Sequence, residues 1–263
     1  MAIVTRHEPG TFCWPELYTP DQAGAKAFYT KLFGWSVRDI PMGPDTVYTI
    51  FTHSGRDAAA CYGSTPEIDK QKTSPHWMVY VAVASADEAA KKVRDAGGEV
   101  CKEPFDVMGI GRMAALRDSN GAPFCVWESK GHPGIAVQQE PGALQWTELL
   151  TGDPTRAASF YGKVFGWKHE LWPSLEKASY HLFLRGGEMA GGMTPITPEM
   201  GAVRPAWVSY FNVESADTTA LRAAGLGGKI AIRPETVPDV GRYAVLVDPA
   251  GAHFGILQPA MVS

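Results

Sequence analysis

The stretch AFYTKLFGWSV, Ala27 to Val37, returns later in the chain as SFYGKVFGWKH, Ser159 to His169. The match is not local. PGTFCWPELYT, from Pro9, runs in register with PGALQWTELLT, from Pro141, so that Trp14 meets Trp146 and Glu16 meets Glu148. Farther on the frame slips by two residues, and Pro75–Asp87 faces Pro205–Asp217 while Gly111–Phe124 faces Gly241–Phe254. A repeat this long means that one structural unit is built twice. The segment between the copies, Ser129 to Gly142, is rich in Gly, Pro and polar residues and reads as the boundary. The expected domains are residues 8–130 and 140–260.

Each copy divides again. CWPELYT has the alternation of a half-buried strand, and Ala25, Tyr29, Leu32 and Phe33 follow at helical spacing. Gly34 stands where a left-handed residue stops a helix, and strand-like TVYTIFTH and DAAACYG come after it. The next quarter repeats this order: the strand HWMVYVAV, a helix face of Ala86, Ala89, Ala90 and Val93 ending at Gly97-Gly98, then three further strands. The chain therefore predicts four βαβββ modules. Asp118–Gly121 and Asp248–Gly251 carry the residues of type I turns before the last strand of each copy.

Composition narrows the function classes. With 24 basic and 28 acidic residues and no Lys/Arg cluster, the chain has no electrostatic footprint for nucleic acid. It has no apolar run long enough to span a membrane and no apolar leader, so a cytoplasmic protein without a membrane partner is expected. Its 4 cysteines lack metal-site or disulfide spacing and are expected as buried small hydrophobes. Gly109–Ala114 fits a dinucleotide-loop pattern, but a strand rather than a helix follows it, so the phosphate-binding geometry is missing. No Walker loop, nucleophile elbow or HExxH motif is present.

Paired βαβββ modules, with FYxxxFGW closing the first helix and DxxG before the last strand, resemble the vicinal oxygen chelate superfamily of glyoxalases, bleomycin-resistance proteins and extradiol dioxygenases. The resemblance covers essentially the whole chain. It is nearest to the two-domain glyoxalase-like proteins of bacteria. It implies an α+β fold in which the four modules pair into two tandem open barrels, each enclosing a cavity. Enzymes of the family hold a divalent metal there with His, Glu or Gln and use it as a Lewis acid. Transferred residue by residue, the implied ligand positions are Trp14, Met78 and Cys125 in the first copy and Trp146, Val208 and Gly255 in the second. None is an ordinary ligand for a hard metal. No metal or other cofactor is expected on this count, with a divalent ion (Zn, Ni, Fe or Mn) at a divergent site as the alternative.

Residues two apart on a strand share a face. The cavity face of the first copy then carries Trp14, Glu16, His76, Met78, Tyr80, Cys125 and Trp127, and that of the second Trp146, Glu148, Val208, Tyr210, His253 and Gly255. Glu16 with His76, and Glu148 with His253, are the candidate acid–base pairs. Trp14, Met78, Tyr80, Cys125, Trp127, Trp146 and Tyr210 are candidate ligand-binding residues. Arg112 and Arg242 are candidates for an anion at the pocket mouth, against a sheet-edge role. The expected function is metal-free binding of a small molecule by a monomer or homodimer. The alternative is a lyase, isomerase or oxygenase acting on a small oxygenated substrate through a Glu/His or divergent metal site. A structural role with both cavities filled is the third reading.

Overall fold

The computed structural model describes residues 4–44, 46–64, 73–172 and 180–260; Met1 to Ile3 of the opening segment lie outside them. The first module runs β1 (Phe12–Tyr18), α1 (Gln22–Phe33), β2 (Ser36–Pro41), β3 (Val47–His53) and β4 (Arg56–Tyr62). The second is β5 (His76–Ala82), α2 (Ala86–Asp95), β6 (Glu99–Val107), β7 (Gly111–Arg117) and β8 (Pro123–Ser129). The second half repeats both as β9 (Leu144–Thr151), α3 (Pro154–Phe165), β10 (Lys168–Leu171), β11 (His181–Arg185) and β12 (Glu188–Pro195), then β13 (Ala206–Asn212), α4 (Ala216–Gly225), β14 (Lys229–Val237), β15 (Gly241–Val247) and β16 (His253–Pro259).

Local chemistry fixes the helix ends. Asp21, Ser85, Asp153 and Ser215 cap α1 to α4 by accepting from a backbone amide of the first turn. Gly34 and Gly166 end α1 and α3 in the left-handed conformation, at φ 70° and 73°. Each half folds into one eight-stranded sheet, ordered β2-β3-β4-β1-β5-β8-β7-β6 and β10-β11-β12-β9-β13-β16-β15-β14. The central strands pair antiparallel, with Trp14 opposite Tyr80 and Glu16 opposite Met78. The outer strands of a sheet do not pair with each other, so each sheet is an open cup rather than a closed barrel.

The helices do not pack as the sheet order alone suggests. The face of α1, Phe28, Tyr29, Leu32 and Phe33, shares one core with Phe211, Ala220, Leu246 and Phe254 of the last module. The face of α3 shares another with Val79, Ala90, Leu116 and Phe124 of the second module. Two buried hydrogen bonds repeat across this joint: Tyr29 Oη donates to Asp248 Oδ2 at 3.0 Å, and Tyr161 Oη to Asp118 Oδ2 at 3.1 Å. The same carboxylates accept turn amides from Ala252 and Ala122. The two FGW tryptophans also cross the joint. Trp35 Nε1 donates to Gly142 O and Trp167 Nε1 to Gly10 O, both at 3.0 Å.

Two sequence expectations change here, and a third choice, between an anion site and a sheet-edge role for Arg112 and Arg242, falls to the sheet edge. The strand CWPELYT is buried on both faces, not one, and the segment between the halves is the reason (below). Cys13, Cys61 and Cys125 are buried, but Cys101 is exposed on β6. Arg112 and Arg242 are engaged in paired bonds to Asp87 and Asp217 of the helix first turns, at 2.7–2.9 Å, rather than reaching for a ligand.

Candidate functional site

In the first cup the central strand presents Trp14 and Glu16. Glu16 accepts from Tyr48 Oη of β3 at 2.6 Å and from Tyr80 Oη of β5 at 2.8 Å, and Trp14 Nε1 donates to Tyr48 Oη at 3.1 Å. Both carboxylate oxygens thus have donors within the protein. Burial pushes the Glu16 carboxyl above its ordinary range, and the two tyrosine hydroxyls oppose that shift. His76 lies diagonally from Glu16 on the same face. It stacks obliquely on Tyr18 at 5.8 Å, and its Nδ1 bonds Ser74 O, not Glu16. Met78, Cys125 and Trp127 complete the wall.

A strap covers this cup. Ile135, from the segment between the halves, is 2% exposed and belongs to one apolar cluster with Trp14, Ile50, Tyr80, Cys125 and Trp127. Its backbone is held by Ile135 N to Cys13 O and Ala136 N to Asp57 O, both at 2.8 Å. Trp127 Nε1 donates to His132 O, and the His132 ring meets Trp14 edge-on at 5.0 Å. The Gly/Pro-rich composition reads as a plain boundary, yet the branched apolar side chains in it, Ile135 and Val137, are fully packed.

The second cup has the same scaffold with other contents. Residues 12–18 of β1 are buried at all but one position, whereas β9 alternates, with Thr147, Leu149 and Thr151 buried and Trp146, Glu148 and Leu150 half-exposed between them. Among the described residues no segment covers this face as Ile135 covers β1. Glu148 Oε1 accepts from Thr194 Oγ1 at 3.1 Å, and Trp146 Nε1 donates to Tyr180 Oη at 2.9 Å. Tyr210, the counterpart of Tyr80, donates no hydrogen bond to Glu148; its ring lies over Gly255, where a Cβ would come within 2.1 Å of it. Strand register sets His253 level with Val208, two strands from Glu148, and its side chain is exposed. The pair Glu148/His253 is therefore not in contact through a hydrogen bond among the described residues.

Enclosure against aromatic rings pushes the Glu148 carboxyl up to about 7, against the pull of the Thr194 and Tyr180 hydroxyls. The native protein thus binds this proton more tightly than the unfolded chain does. The Glu148 contribution to stability is full below about 4.5 and is lost as pH rises through about 7. Urea unfolding at pH 5 and pH 8 is expected to show that slope, and Glu148→Gln to remove part of it. An unchanged slope would mean that Glu148 titrates as an ordinary carboxylate.

The positions where the family resemblance sets metal ligands hold indole, thioether, thiol and aliphatic groups. Trp14 and Trp146 use their only ring nitrogen as a donor, and burial pushes the Cys125 thiol far up, away from the thiolate that ligation requires. Among the described residues no group of three or more His, Cys, Asp or Glu side chains is arranged to hold a metal ion. This donor set does not fit the hard divalent ion of the family. A separate cleft of about 450 Å³, lined by Phe33, His53, Asn212, Thr218 and Arg222, lies at the joint between the halves, away from both cups. The residues that strand patterning missed are Tyr48, Tyr180 and Ile135. The first two occupy equal positions of the repeat, Tyr48 in β3 and Tyr180 just before β11, and that recurrence is a usable signal.

The chain matches the family model of the Glyoxalase/Bleomycin resistance protein/Dioxygenase superfamily twice, over residues 11–126 and 143–256. A Mycobacterium tuberculosis protein carrying the provisional name glyoxylase CFP32 is 38% identical over 257 residues, covering 97% of both chains. The anthracycline biosynthesis protein DnrV of Streptomyces peucetius is 36% identical over 278 residues, covering 97% of this chain and 95% of its own. Among solved structures, the Mn(II)-bound glyoxalase from Novosphingobium aromaticivorans superposes with a TM-score of 0.64 at 15% identity, over 96% of this chain and 84% of its own. The 2,3-dioxygenase LapB from Pseudomonas sp. KL28 does so with a TM-score of 0.65 at 11% identity, over 99% and 94%. At such identities the structures speak for the fold alone, whereas the family match and the full-length relatives speak for descent. The chain belongs to the glyoxalase, bleomycin-resistance and dioxygenase superfamily.

Proposed function

We propose that this chain is a small-molecule-binding member of the superfamily, without the family's metal-ligand set, and that the cup of its second half is the working pocket. One observation carries the reading. The central strand of that cup is half-buried where that of the first cup is fully covered, and its Trp146 and Glu148 stand beside Tyr180 and Tyr210, not among metal ligands. Pockets of this kind combine apolar walls with a few polar groups that orient the ligand. A relative named for anthracycline biosynthesis fits a pocket for a polycyclic aromatic compound. In this reading the protein is cytoplasmic, acts as a monomer or homodimer, and has no nucleic-acid or membrane partner.

The second reading, a lyase, isomerase or oxygenase, is favoured by the Glu148 carboxyl, whose value of about 7 suits a group that takes and returns a proton near neutral pH. The relative with the glyoxylase name supports the same side. Elemental analysis of protein purified without chelator, together with turnover of hemithioacetals and catechols, separates the two. Less than a tenth of an equivalent of divalent metal and no turnover is the expected result. A stoichiometric metal, or turnover lost on Glu148→Gln, would overturn the binding reading in favour of the enzyme.

A further inference from the structure

The repeat provides an internal control for the second cup. In the first half, Tyr80 stands beside Cys125 and its hydroxyl is tied to Glu16 at 2.8 Å. In the second half, Tyr210 stands beside Gly255, and the missing side chain lets the ring settle over the glycine. Glu148 loses that donor and takes one from Thr194 on Oε1, where the first half has Tyr62. Leu257 replaces the bulkier Trp127, and Tyr243 replaces Met113, so the wall trades an indole for a phenol ring 6.3 Å from Tyr210.

We propose that the second cup recognises a planar aromatic ketone or phenol, whose oxygen is held between the Glu148 carboxyl and a Tyr210 hydroxyl set free by Gly255. The inference rests on the reading that this cup is the ligand site. The groups follow from their chemistry. Trp146, Tyr180, Tyr210 and Tyr243 offer ring faces and edges to a flat ligand and carry no positive charge, so nothing here selects for an anion. A protonated carboxyl and a phenol are both donors, and one carbonyl oxygen has two lone pairs to receive them. A phenolic oxygen accepts one bond and donates the other. Gly255 is then the residue that sets specificity without touching the ligand oxygen, because it decides where Tyr210 points.

The probes are 9-fluorenone and fluorene, which share a flat tricyclic frame and differ in one carbonyl, titrated against tryptophan fluorescence of the full chain. Fluorenone is expected to bind the wild-type protein roughly ten- to thirtyfold more tightly than fluorene, the net effect of the two hydrogen bonds. Tyr210→Phe should lower that preference roughly three- to fivefold, the share of one bond, and leave fluorene binding unchanged. Gly255→Cys, which installs the residue of the first half, should return Tyr210 to Glu148 and bring fluorenone down to the fluorene level. Should Gly255→Cys fail to fold, Tyr210→Phe alone decides the matter. Equal binding of the two probes, or full preference in Tyr210→Phe, overturns the recognition of oxygen while the aromatic pocket stands. If neither probe binds, the reading of the second cup as the ligand site falls with it.

Discussion

Tyr29→Ala is expected to destabilise the whole chain by at least about 4 kcal/mol, the order found for removing a large ring from a packed core. Tyr29 is fully buried, with the rings of Phe33, Trp35, Phe51, Trp77 and Phe254 around it at 5.3–6.2 Å. Its hydroxyl also accepts from Trp77 Nε1 while donating to Asp248, so truncation leaves an indole N–H and a carboxylate without their partner. Tyr29→Phe keeps the ring and loses only those bonds, and should cost about 1–3 kcal/mol. Urea midpoints measure both. Because Tyr161 makes the equivalent bonds with Trp207 and Asp118, Tyr161→Ala should match Tyr29→Ala. An Ala variant within about 1 kcal/mol of wild type would show that this ring does not hold the halves together.

Gly134→Ala should also have a large effect, and a local one. Gly134 has φ 120°, and a Cβ there would lie 2.2 Å from the backbone oxygen of Cys13. That oxygen is the acceptor for Ile135 N, so the substitution pushes the strap off its anchor and withdraws Ile135 from the first cup. The expected loss is about 3 kcal/mol, from lost burial of an Ile together with backbone strain. Unlike Tyr29→Ala, it should uncover Trp14 and Trp127, read as a red-shifted tryptophan emission and new binding of a hydrophobic dye to the native state. Ile135→Ala should reproduce the dye binding with less backbone disturbance. Wild-type stability and no dye binding in Gly134→Ala would mean that the strap does not seal the cup.

Both predictions concern features that sequence reading passed over, and for physical reasons. The module order was legible because the chain writes it twice and marks the ends of α1 and α3 with Gly34 and Gly166. The shared face of Trp14, Glu16 and Tyr80 was legible because strand alternation has a fixed period. The partner of a helix face was not. The spacing of Phe28, Tyr29 and Leu32 is the same whether the helix meets its own sheet or that of the other half. Nor was the strap, since the composition around Ile135 is that of a loop, and a loop carries two apolar residues without any period. The different postures of Tyr80 and Tyr210 rest on Cys125 against Gly255, a contrast that only a neighbouring strand in register turns into geometry.

The crossing of α1 to the last module has a consequence for how the protein is made. A chain leaving the ribosome completes β1 to β8 long before Phe254 exists, so Phe28, Tyr29 and Phe33 emerge with half of their core still unsynthesised. The second helix face, on α3, finds Val79, Leu116 and Phe124 already waiting. Assembly is therefore asymmetric in time although the finished structure is nearly symmetric. The nascent first half carries a sticky aromatic stripe until translation is almost over, and that interval is when a chaperone or a misdirected second chain has its opportunity.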